Sequence, residues 1–101
     1  MIHAARVRWV PFDAGGLKSL PPVLRVIALS RFEEDGPRWT DEKWSVVLFF
    51  EQPPIEQVER DCMAARVAFA FEHAPQERLH TGAHFAIYYG RTRIADVDVL
   101  D

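Results

Sequence analysis

A chain of 101 residues with 49% apolar, 27% charged and 12% aromatic residues has the make-up of one soluble globular domain and excludes a disordered tail. Its net charge of −3, from 15 carboxylates against 12 Lys and Arg, excludes the strongly electropositive surface on which phosphate binding by counterion release depends. The single cysteine, Cys62, excludes an internal disulfide, so nothing ties the chain to an oxidising compartment.

In chain order, Ala5, Val7 and Trp9 alternate with Arg6 and Arg8, which predicts a half-buried first strand. Residues 12–22 are turn chemistry, with Gly15-Gly16 permitting positive φ and Pro21-Pro22 forbidding ladder donors. Val23 to Phe32 is apolar and β-branched enough for a second strand, closed by the charged stretch Glu33-Glu34-Asp35-Gly36-Pro37. Residues 44–50 form the clearest strand; they are apolar on both faces, which predicts a central position or packing on both sides. Pro53-Pro54 ends it. Ile55, Val58 and Cys62 follow near helical spacing, which fits either a helical turn or two or a loop. Val67, Phe69 and Phe71 alternate with polar or small residues in a fourth strand; Phe85, Ile87 and Tyr89 mark a fifth, Gly90 a turn, and Thr92 to Leu100 a sixth. The expected core includes Val7, Trp9, Val46, Leu48, Phe69, Phe71, Phe85 and Ile87.

These patterns predict one all-β domain over residues 1–101, with no repeat and no linker. A domain of this size buries roughly 65% of the surface its unfolded chain exposes, enough for one core. No apolar run approaches the roughly 18 residues that span a bilayer. The first residues pass at once into alternation, which leaves no room for a signal peptide. The expectation is a cytoplasmic protein with no membrane partner.

Few residues suggest chemistry. His80 and His84 have a spacing that would suit zinc on a helix, but they straddle Thr81-Gly82, and no cysteine joins them or His73. Asp96 and Asp98 point the same way if they share a strand. Such a pair does acid–base work when its environment separates the two pKa values, or lines a solvated face beside Arg91, Arg93 or Lys43. Cys62 has no histidine in its segment, and a lone cysteine beside an apolar run reads as a small buried hydrophobe. Trp39, in a charged loop beside Arg38, is either an interface anchor or the cap of an open barrel end. Trp9 and Trp44 lie in strand patterns and read as core. Phe85, Tyr88 and Tyr89 are a conceivable base-stacking platform, with core and interface readings ahead of it.

Three blocks carry a family resemblance: Asp13-Ala14-Gly15-Gly16-Leu17-Lys18, His73-Ala74-Pro75, and Gly82-Ala83-His84-Phe85-Ala86-Ile87-Tyr88-Tyr89-Gly90-Arg91-Thr92-Arg93-Ile94-Ala95. With the order of strands and turns between them, over about residues 5–100, they resemble the C-terminal, third barrel domain of translation elongation factor Tu, here without its GTPase domain. The resemblance implies a small closed or nearly closed antiparallel barrel of about six strands. It also implies that the turns at Gly15-Gly16-Lys18 and Gly90-Arg91 match family turns that meet the tRNA backbone. The chain departs from the family where Leu17 follows the two glycines in place of arginine, where Val23-Leu24-Arg25-Val26-Ile27 replaces a Tyr-Arg-Pro-Gln-Phe run, and where Asp96, Val97 and Asp98 replace small residues. No Gly-x-x-x-x-Gly-Lys-Ser/Thr loop occurs, so no GTP binding is expected.

The expected function is therefore a non-catalytic binding module without a cofactor, catalytic residue or metal. A protein partner comes first and weak RNA or tRNA binding through Arg6, Arg8, Lys18, Arg91 and Arg93 second. A metal-dependent or acid–base enzyme comes third. The candidate partner-binding residues are Gly15, Gly16, Lys18, Arg38, Trp39, Gly90 and Arg91.

Overall fold

The period-two segments become six strands: β1 (His3–Trp9), β2 (Arg25–Phe32), β3 (Trp44–Phe49), β4 (Met63–Phe69), β5 (His84–Tyr89) and β6 (Thr92–Val99). The computed structural model describes residues 2–32, 44–58 and 62–101. All six strand pairings are antiparallel, and the order β1-β4-β3-β2-β5-β6 closes on itself through β6 and β1. Closure leaves no strand edge to pair with a stranger. The other regular pieces described are single 3-10 turns at Phe12–Ala14, Pro54–Glu56 and Gln76–Arg78. No helix among the described residues is long and apolar enough to cross a membrane.

Alternation decides which side chains fill the barrel. Val7, Val46, Leu48, Val67, Phe85, Ile87 and Val97 point inward and are fully buried. Along β6 both Ile94 and Ala95 are buried, because the β5–β6 register shifts between Ile87 and Tyr88. Such a bulge turns two successive residues toward one side.

One end of the barrel holds the last residues of β1, β3 and β5 and the first residues of β2, β4 and β6. It is filled by Trp9 stacked on Phe50, with ring centroids 6.0 Å apart, and by buried Leu20 and Pro54. The Trp9 indole N–H donates to the Met63 sulfur at 3.1 Å. The Ile55 amide donates to the Pro21 carbonyl at 3.1 Å, which ties the β1–β2 and β3–β4 connections together. The opposite end is filled by Phe32, which lies 4.7 Å from Phe85 and 6.1 Å from Phe69 between centroids, under Ala74, Leu79 and Ala83 from the β4–β5 connection.

Several expectations need correction. Phe71 is exposed, not core: the ladder stops after the Ala70 amide meets the Ser45 carbonyl, and the Phe71 carbonyl then accepts from Ala74 in a turn. The apolar alternation runs past the point where the chain leaves the sheet. Cys62 is exposed, because the inward position at the start of β4 belongs to Met63. Val23 and Leu24 precede β2 and are exposed, following directly on Pro21-Pro22, which supplies no ladder donors. Trp44 is only half-buried, packed edge-on to His73 with centroids 5.5 Å apart. The helical spacing from Ile55 yields only the turn at Pro54–Glu56, and Val58 is solvent-exposed. Finally, β3 does lie between β2 and β4, yet among the described residues no second layer covers its outer apolar side, where Val47 and Phe49 are half-buried.

Candidate partner-binding surface

The topology brings the two predicted turns to one end of the barrel. Gly15, Gly16 and Lys18 lie in the β1–β2 connection, and Gly90 and Arg91 form the tip between Tyr89 and Thr92, where β5 turns into β6. Lys18 and Arg91 are exposed, and neither has a carboxylate partner among the described residues. Lys18 borders a hollow of about 230 Å3 lined by Trp9, Pro11, Phe12 and Leu20. Gly16 is a different case. It is buried, its amide donates to the Pro11 carbonyl at 2.9 Å, and the chain passes directly over Val10. Its lack of a side chain serves the turn itself. Arg38 and Trp39 lie outside the described residues.

The predicted charged groups gather on the β5–β6–β1 side. Asp98 bridges two neighbours: its Oδ1 lies 2.6 Å from His84 Nδ1, and Arg8 donates to its Oδ2 at 3.3 Å. Arg93 donates from Nε to Asp96 at 3.1 Å and makes a second, shorter contact through its terminal nitrogen. The hydrogen bond to Asp96 raises the Arg93 pKa further above its usual range, with the nearby carboxylate charge adding to it. His84, Arg31, Tyr88, Arg93 and Asp96 border a shallow cleft of about 470 Å3. No hydroxyl or thiol is hydrogen-bonded to His84 among the described residues. His80 is exposed and its ring meets the Thr81 carbonyl, while no group of three or more His, Cys, Asp or Glu that could hold a metal comes together among the described residues. The imagined stacking platform is divided by the pleat: Phe85 faces inward, while Tyr88 is half-buried on the outside.

The β2–β3–β4 side has a different character, and single-segment reading missed it. Register places Ile27 beside Val47 and Val47 beside Ala68, all on the outer face. Leu29 adjoins Tyr88 on one flank and Ser45 on the other. The adjacent rung is Arg25, Phe49 and Arg66, one from each strand. Directly paired side chains stand about 5 Å apart at Cβ, so these residues form one surface, with Ile27 57% exposed at its centre. Beyond Phe49 the β3–β4 ladder ends, and a cleft of about 350 Å3 opens between Phe49, Phe50, Ala64, Ala65, Arg66 and Glu51. The signal for this face was the double-sided apolar run in residues 44–50. A barrel interior consumes only one side of such a strand.

Comparison with protein-family models, with curated proteins and with solved structures finds no match for this chain.

Proposed function

We propose that this barrel is a non-catalytic binding module whose partner is another protein, a cytoplasmic relative of the third domain of elongation factor Tu connected to translation. The observation that carries the protein-binding reading is the outer face of β2 and β3, where Ile27, Leu29, Val47 and Phe49 adjoin one another. Contiguous apolar surface of this kind marks interaction sites, whereas isolated surface apolar residues need no explanation. The β6–β1 side offers a contrast, with the arginine–carboxylate pairs Arg8–Asp98 and Arg93–Asp96. The order of blocks around Gly15-Gly16, His73-Ala74-Pro75 and Gly90-Arg91 supports the elongation-factor kinship.

The experiment is site-specific photocrosslinking in the native cell, with a benzophenone amino acid at position 27 and, as control, at position 96 on β6, across the barrel from β3. A discrete protein adduct at 27 and none at 96 is expected. Adducts of equal yield at both positions, or none at 27, would remove the reading.

RNA is the second reading, favoured by the arrival at one barrel end of Lys18 and Arg91, which have no carboxylate partner among the described residues. Two cations make a small phosphate-binding footprint, so the affinity on this reading is weak.

A further inference from the structure

We infer that the outer face of β2–β3–β4 docks a protein segment that presents two carboxylates on either side of an apolar side chain. This rests on the protein-binding reading above and adds the chemistry of the partner.

The central feature is the rung Arg25–Phe49–Arg66. The Arg25 guanidinium lies 5.5 Å from the centre of the Phe49 ring, and Arg66 is the register partner of Phe49 on β4. Neither arginine has a carboxylate partner among the described residues, in contrast to Arg8 and Arg93. A guanidinium fork takes a carboxylate through two parallel hydrogen bonds, and this pairing gains strength where an aromatic surface excludes water. Arginine and aromatic side chains are also the residues on which binding energy at protein interfaces concentrates.

Geometry sets the spacing. The two arginines sit two strands apart, which puts their backbones about 10 Å from each other. Between them lies Phe49, and beside Phe49 opens the cleft lined by Phe50, Ala64 and Ala65 together with Gln52 and Gln57. An apolar side chain of the partner fills that cleft while its carboxylates reach outward to the arginines. Glu51 also lines the cleft and repels a carboxylate from its interior.

The same surface suits RNA poorly. The neighbouring rung, Ile27–Val47–Ala68, has no donor for a run of phosphates.

The test is selection from a displayed library of random dodecapeptides against the whole chain, followed by titration of the best synthetic peptide. Expected are sequences with Asp or Glu on both sides of Leu, Ile, Phe or Trp, binding at least ten-fold more weakly to the double variant Arg25→Glu/Arg66→Glu. Selection against that variant should turn toward Lys and Arg. Should charge reversal impair folding, judged by the thermal melt, Arg25→Gln/Arg66→Gln replaces it with the same expected direction. No enrichment, enrichment without carboxylates, affinity unchanged in the double variant, or tighter binding of a dodecauridylate than of the best peptide would each overturn the inference. The two readings fail separately. A crosslink at position 27 that survives in the double variant removes the acidic partner and keeps protein binding, whereas no crosslink in the unmodified chain removes both.

Discussion

The β-carbon that Gly16 lacks would stand 1.9 Å from the carbonyl oxygen of Val10 and 2.6 Å from its carbonyl carbon. Both atoms are backbone, and the Pro11 carbonyl beside them already accepts the Gly16 amide at 2.9 Å. The turn therefore has no flexible side chain that can yield. Gly15, by contrast, has open space around its missing side chain, and its positive φ of 98° alone calls for glycine. Gly16→Ala is expected to cost at least about 3 kcal/mol, with the turn pushed off Val10. Gly15→Ala costs about 1–2 kcal/mol, the usual penalty for an L-residue in the left-handed region. Urea denaturation of both variants checks the order; a Gly16→Ala protein as stable as Gly15→Ala would refute the close approach.

Phe69 and Phe71 differ by two positions and by the end of a strand. Phe69 packs against Phe32 in the barrel end, while Phe71 is 53% exposed. Phe69→Ala should cost about 3–5 kcal/mol and Leu48→Ala about 2–5 kcal/mol, as core truncations do. Phe71→Ala should stay within about 1 kcal/mol of the parent, since little packing is lost. Thermal melts of the three proteins measure this directly.

The His84–Asp98–Arg8 cluster lies on the open side of the barrel, with His84 and Arg8 more than half exposed. Exposed ion pairs lose most of their attraction to solvent screening. Asp98→Asn is therefore expected to leave the fold intact and to change stability by less than about 1 kcal/mol. A larger loss, seen by denaturant titration, would show that the cluster braces the β1–β6 closure.

Tyr89 ends β5 beside the hairpin tip, and partial burial raises its pKa above the ordinary 10.0. Burial favours the neutral phenol, so the folded chain keeps this proton to higher pH than the unfolded chain does. The resulting stability is fully present below the ordinary value and is lost as pH rises through the raised folded value. Ultraviolet titration should show a late-ionising tyrosine that disappears in Tyr89→Phe. A titration curve unaltered in its alkaline part by that substitution would contradict the burial.

Nucleic-acid binding is expected to be slight. Two or three phosphate contacts from Lys18, Arg91 and their neighbours give a salt slope of about −2 on logarithmic axes and a Kd no tighter than roughly 100 μM at physiological salt. Filter binding to total tRNA checks it, with Lys18→Glu and Arg91→Glu as variants. Tight binding abolished by either change would move RNA ahead of a protein partner. Calorimetry with GTP and magnesium should be silent, for want of the lysine-bearing phosphate loop.

The sequence by itself determined what is local. Period-two alternation marked all six strands, put Val7, Val46, Leu48 and Ile87 inside, and set the turns at Gly15-Gly16 and Gly90, because each depends on a residue and its immediate neighbours. It also marked residues 44–50 as apolar on both sides without saying what the second side meets. Only the tertiary structure decided that β1 lies between β4 and β6, that the two glycine turns share one end, and that Arg25, Phe49 and Arg66 form one rung. Those relations join positions distant in the chain and follow from closing the sheet around one core. Phe71 defied its alternation because a period of two does not record where a strand leaves its ladder, and Cys62 defied the usual burial of a lone cysteine because the barrel's closure gave the inward position to Met63.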